Sequence, residues 1–144
     1  MSVYARFKRS PDGFRKLVEL LETTPMSRRQ KMIDIGMAED PEYTRRALEM
    51  VMTFKDIVGL PEMELAEVCA KAPPRMLAYA LNLADEPTQT RFLKCSKPRV
   101  AAEVKDYLGV KIGAAEVGGA QLKVVETARD LERQGFVRTK KISV

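Results

Sequence analysis

The chain contains no histidine, which removes the commonest general base and metal ligand, and with it Ser-His-Asp triads, Cys-His pairs and histidine-based zinc motifs. It has two cysteines, Cys69 and Cys95. Each falls in a helical pattern and lacks the second cysteine or histidine that zinc spacing requires, so both read as small buried hydrophobes. No Gly-rich phosphate loop is present, because Gly118-Gly119 has neither a following Lys-Ser/Thr nor a preceding strand. No apolar run approaches the length of a bilayer span, and Ser-Val-Tyr-Ala-Arg-Phe-Lys-Arg after Met1 is not a secretory signal. These absences argue against an enzyme, a bound cofactor, a metal site and a transmembrane segment. They lead to the expectation of a cytoplasmic protein.

What remains is 144 residues with a net charge of +5, enough for one domain or for two small helical subdomains. Basic residues gather at the ends, as Arg6, Lys8 and Arg9 in front and Arg138, Lys140 and Lys141 behind, with a further cluster at Arg28, Arg29 and Lys31. Such clusters allow a second reading, a nucleic-acid-binding domain of helix-turn-helix type. Solvated ends are the simpler account of the same residues.

Helical periodicity runs throughout and no strand pattern appears, so the fold class is all-α. Ser10-Pro11 is expected to open a first helix with Phe14, Leu17, Val18 and Leu21 inward, closed by Thr23-Thr24-Pro25. Ser27 to Gln30 has capping-box spacing, and Asp40-Pro41 is a helix start. Val51 to Gly59 is apolar on several sides and reads as a buried connector with a hinge at Met52 and Phe54. The expected division is a three-helix unit at 1–50, a connector at 51–59 and a helical subdomain at 60–144. In the last, Leu60-Pro61, Pro73-Pro74 and Asp85-Glu86-Pro87 each begin a helix, with the Pro73-Pro74 helix central to the core. Ala114 to Gln134 forms one long helix stopped by Gly135. Leu17 to Pro25 is echoed by Leu65 to Pro73, and Ala38 to Arg45 by Ala84 to Arg91, a helix triplet repeating at about 46 to 48 residues. Two copies fall short of a stable solenoid, leaving an apolar face for a partner.

The most informative stretch is Cys95 to Gly109. Ser96 is expected to cap its helix, Pro98 to occupy the first turn and Gly109 to turn left-handed at the end. Val100, Val104 and Leu108 line one side. Arg99, Glu103 and Asp106 fall on another, since residues seven apart differ by only about 20° around the axis. On these residues alone the ridge is a solvated face with an Arg99–Glu103 pair.

The order of elements from about Pro11 to Val137 resembles the carboxy-terminal domain of the FliG family, the rotor switch of the bacterial flagellar motor. That family has a Met-Phe-x-Phe hinge followed by acids, where this chain reads Val51-Met-Thr-Phe-Lys-Asp-Ile57. It then has an Ala-Leu-Lys stretch, an Asn-Met-Ser-x-Arg-Ala-Ala motif, an acidic pair, Gly-Pro-Val-Arg and a long helix with Glu-Gln. This chain has Ala80-Leu-Asn82, Phe92 to Ala102 containing Arg99, Asp106-Tyr107, Gly109-Val-Lys-Ile-Gly113 and Ala120-Gln121.

The resemblance implies an armadillo-like right-handed helical repeat unit followed by a compact helical subdomain with a long final helix. It also implies a non-enzymatic module serving motility and chemotaxis at the cytoplasmic face of the flagellar basal body. Arg99 and Asp106 take the places of the family's arginine and first acid on the stator-facing ridge, with Glu103, Lys105 and Lys111 as neighbours. Asn82, Tyr107 and Gly113 stand where the family has lysine, second acid and arginine. The implied partners are the stator protein MotA, the switch protein FliM, full-length FliG, or a second copy through the armadillo-like face. The family's amino-terminal and middle domains have no counterpart in this sequence, and the start at Met1 favours a stand-alone relative over a fragment.

Overall fold

The computed structural model describes residues 3–138, and every regular element among them is an α-helix. The basic residues Lys140 and Lys141 lie outside the described residues. Two compact units meet in sequence between Met52 and Thr53.

The first unit holds α1 (Val3–Arg9), α2 (Gly13–Thr23), α3 (Met26–Glu39) and α4 (Pro41–Met50). Leu17, Val18, Leu21, Tyr43, Ala47 and Val51 form its core, with α2 and α3 each packed on α4. Asp40 caps α4 as its Asp-Pro signature requires, accepting from the Tyr43 amide at 3.2 Å.

Three sequence expectations change here. The charged leader is itself a helix, α1, held because the buried Tyr4 donates its hydroxyl to the Met32 carbonyl at 2.5 Å and Lys8 pairs with Asp40. The next helix begins at Gly13 rather than at Ser10-Pro11. The Ser10 hydroxyl is spent on Asp12 at 2.9 Å, and α1 returns so closely that any Cβ at position 13 would lie 1.6 Å from the Phe7 carbonyl oxygen. Finally, α3 starts at Met26, so Ser27 sits inside the first turn and forms no capping box.

The second unit holds α5 (Phe54–Val58), α6 (Glu62–Lys71), α7 (Pro74–Leu81), α8 (Glu86–Cys95), α9 (Pro98–Leu108) and α10 (Ala114–Arg133). Thr53 and Asp56 close a capping box around the short α5. The central helix is α7, as its scarcity of polar residues predicts, packed between α9 and α10. The α10 helix also covers α5 and α6. Leu65, Val68, Leu77, Leu81, Phe92, Val104, Val124 and Val125 are buried together in this unit. Gly135, at φ 87°, supplies the left-handed stop for α10, while Gly109 stays at φ −80° and does not turn left-handed.

The Ser96 expectation also fails. Its hydroxyl donates back to the Phe92 carbonyl at 2.8 Å, so it finishes α8, and Lys97 precedes α9 without a side-chain cap. Cys69 is buried as expected, but Cys95 is only half-buried and lines a cleft of about 710 Å³ beside Glu62, Arg91 and Lys94. The helical pattern gave no warning of a buried ion pair in α10, where Arg129 meets Glu132 at 2.8 Å.

Candidate protein-interaction site

The ridge on α9 begins with what fixes the helix from behind. Val104 is 1% exposed and seats α9 against α7. The carbonyls at a helix C-terminus lack intrahelical donors. Here the Asn82 side-chain amide, just past the end of α7, reaches the Leu108 carbonyl at 3.5 Å and the Val110 carbonyl at 3.0 Å. The end of α7 is held in turn, because Gln121 donates to the Ala80 carbonyl at 3.1 Å and Gln89 to the Leu81 carbonyl at 2.8 Å. Side chains from α8 and α10 therefore fix the turn from which Asn82 holds α9.

On the outer side Arg99 is 92% exposed, and its guanidinium stands 3.9 Å from the Glu103 carboxylate. Glu103, Lys105, Asp106 and Lys111 are all exposed. Arg99 and Asp106 thus share one solvent-facing helix. Lys97, Arg99, Lys105 and Lys111 outnumber Glu103 and Asp106 on this stretch, which makes its field net positive.

Tyr107 does not extend the row of charges. Its ring meets Tyr79 edge-on at 6.2 Å, and the Arg75 guanidinium lies 5.7 Å from its centroid and 5.4 Å from that of Tyr79. Arg75 Nε also donates to the Tyr79 hydroxyl at 3.1 Å. A cation thus stacks on two aromatic rings beside the ridge, one of them on α9. Gly113 precedes α10 and carries no charge, while Lys111 two residues earlier is exposed.

Of the two hinge candidates, Met52 is buried at the end of the first unit. Its amide donates at 2.7 Å to the carboxylate of Glu22, itself buried. Phe54 opens α5, with its ring stacked on Phe92 at 5.7 Å. Sequence reading missed Glu22, since an acid within an amphipathic helix gives no sign that its partner is a backbone amide 30 positions away. It also missed the Arg75 cluster, although Arg75 and Tyr79 stand four apart on one helix.

Residues 37–138 match the model of the FliG C-terminal domain. The chain belongs to that family. FliG itself, described as the flagellar motor switch protein, is 27% identical over 128 residues in Thermotoga maritima, covering 87% of this chain and 38% of that protein. In Helicobacter pylori it is 34% identical over 95 residues, 63% of this chain and 27% of that protein. The chain therefore spans well under half the length of these relatives. A crystal structure of a Helicobacter pylori FliG fragment superposes with a TM-score of 0.66 at 24% identity, covering 95% of this chain and 66% of that one. The FliG resemblance read from the sequence is thus borne out, as is the all-helical fold. Among the described residues no helix is long and apolar enough to cross a membrane.

Proposed function

We propose that this chain is a non-enzymatic protein-interaction module of the flagellar switch type, which turns the α9 ridge toward a stator protein of the MotA kind. The observation that carries this is the exposure of Arg99 and Asp106 on one helix, inside the stretch that matches the FliG C-terminal domain. Charges held at a rim act mainly on encounter and orientation, and little on affinity. With Asn82 holding carbonyls and Tyr107 stacked, the ridge that remains is shorter than the family's, and with Lys97, Arg99, Lys105 and Lys111 against Glu103 and Asp106 it favours an acidic counterpart. FliM and full-length FliG are further partners in this reading. Self-association through the front unit belongs to it too, supported by Leu20 and Ile35 at 39% and 52% exposure. A cytoplasmic position at the base of the flagellum follows from the same reading.

Nucleic-acid binding gains no support from the matched family. Arg29 of the basic cluster is half-buried and its guanidinium donates to the Glu22 carbonyl at 3.0 Å.

Charge reversal tests the ridge. Arg99→Glu and Asp106→Arg should leave the thermal midpoint of the purified protein unchanged, because exposed pairs contribute little to stability. Each should impair swimming when it replaces the chromosomal copy in the source organism. Normal swimming in both variants would remove the stator role.

A further inference from the structure

Two features of the second unit lie away from the charged side of α9, and each has the chemistry the other lacks. The first is a groove of about 410 Å³ between α7 and α10, with Pro73, Met76, Tyr79 and Ala120 as apolar lining and Arg75 and Lys123 as cations at its edge. Among the described residues neither cation has a carboxylate within ion-pair distance. The one acid at the groove, Glu116, is turned to the Gly113 amide at 3.5 Å. Gly119 lines the groove without a side chain, and a Cβ built there meets nothing within 4 Å, so a larger residue can be placed there without a clash at its Cβ.

The second feature is the first turn of α6. Met63 is 85% exposed, the most exposed large hydrophobic among the described residues, and Glu62 and Glu67 stand exposed on the same helix. Methionine is flexible and polarisable, suited to an irregular slot with an aromatic wall. Its acidic flanks suit a rim of arginine and lysine.

We infer that the α7–α10 groove receives the Met63 turn of a second copy of this chain, with Met63 seated against Tyr79 and Met76 and the α6 carboxylates facing Arg75 and Lys123. The contact joins different surfaces on the two copies, so it is head-to-tail and leads to rings or open chains rather than to a closed two-fold dimer. It uses neither the exposed charges of α9 nor the front unit, although Arg75 and Tyr79 also pack on Tyr107, and it is tested apart from the rotor reading.

Sedimentation velocity on the whole chain, at concentrations on the order of 100 µM, tests this. The unmodified protein should associate beyond the dimer. Met63→Lys spoils the protrusion and Gly119→Leu fills the groove, and each alone should weaken association at least tenfold while the circular dichroism spectrum stays unchanged. An equimolar mixture of the two variants should form one-to-one dimers and stop there, since Met63→Lys keeps an intact groove and Gly119→Leu an intact protrusion. Ile35→Glu, which spoils any contact through the front unit, should still associate through the groove, and the substitutions above are compared in that background. A monomeric unmodified chain, association that survives both substitutions, or a mixture that stays monomeric would each overturn the proposal. So would a Glu-flanked leucine peptide that shifts the Gly119 and Lys123 amide resonances of a chain that does not self-associate, because the groove would then belong to a foreign acidic segment.

Discussion

Asn82 shows how a single side chain sets the geometry of the ridge. Its amide donates to carbonyls at the exit of α9, where the peptide dipoles converge and donors are scarce. Asn82→Ala should therefore cost about 1 to 2 kcal/mol in urea unfolding. Asn82→Lys should cost less, because an ammonium group can donate to the same carbonyls and is favoured at a helix C-terminus. A lysine variant less stable than the alanine variant would show that the carbonyls are not what this position serves. Tyr107 makes a related point. From sequence it is only a gap in a row of acids, and its stacking with Tyr79 and Arg75 depends on α7 and α9 lying side by side.

Among the helices, those with local signatures are the ones that could be read in advance. Asp40-Pro41 and Asp85-Glu86-Pro87 start α4 and α8 with the aspartate accepting an amide hydrogen bond in each case, because a cap needs only residues three apart. The α1 helix has no such signature. Seven residues are too few to be stable alone, and its anchors lie 28 and 32 positions away at Met32 and Asp40. Its docking depends on Gly36, where a Cβ would fall 2.4 Å from the Tyr4 ring and 2.5 Å from the Thr44 hydroxyl. Helix propensity alone gives Gly36→Ala a gain of about 1 kcal/mol. The clash should reverse the sign and destabilise by about 1 to 3 kcal/mol. Adding Tyr4→Ala should recover part of that loss in a double-mutant cycle. A stabilised Gly36→Ala protein would mean that α1 does not sit there.

At the scale of the whole molecule, buried ionisable groups tie stability to pH. Burial pushes the Cys69 thiol up from its ordinary 9.0 to about 11. Below pH 9 the thiol is protonated in both folded and unfolded chains and adds no slope. As pH rises through 9 toward 11 the unfolded chain loses its proton first, so stability falls, by up to about 2 to 3 kcal/mol. Urea unfolding from about pH 8 to about pH 11 should show this decline, and Cys69→Ala should lessen it. An equal slope in both proteins would assign the alkaline loss to other groups.

The internal repeat also belongs to this scale. In the first triplet α2 and α3 both pack on α4. In the second α6 packs on α8, but the middle helix α7 takes α9 and α10 as its main partners. The sequence echo marks equivalent starts and stops, and it is silent on which neighbour each helix prefers.

By itself, the sequence determined the helical character, most helix starts, the family and the set of charges on α9, because capping, periodicity and motif order act over a few residues at a time. Tertiary structure decided that α1 closes on the first unit, that Glu22 holds the Met52 amide, that Asn82 ends α9 and Tyr107 stacks, and that α7 and α10 leave a groove between them. Each of these joins groups far apart along the chain. Their energies depend on distance in space and on exclusion of water, and neither is set until the helices have packed.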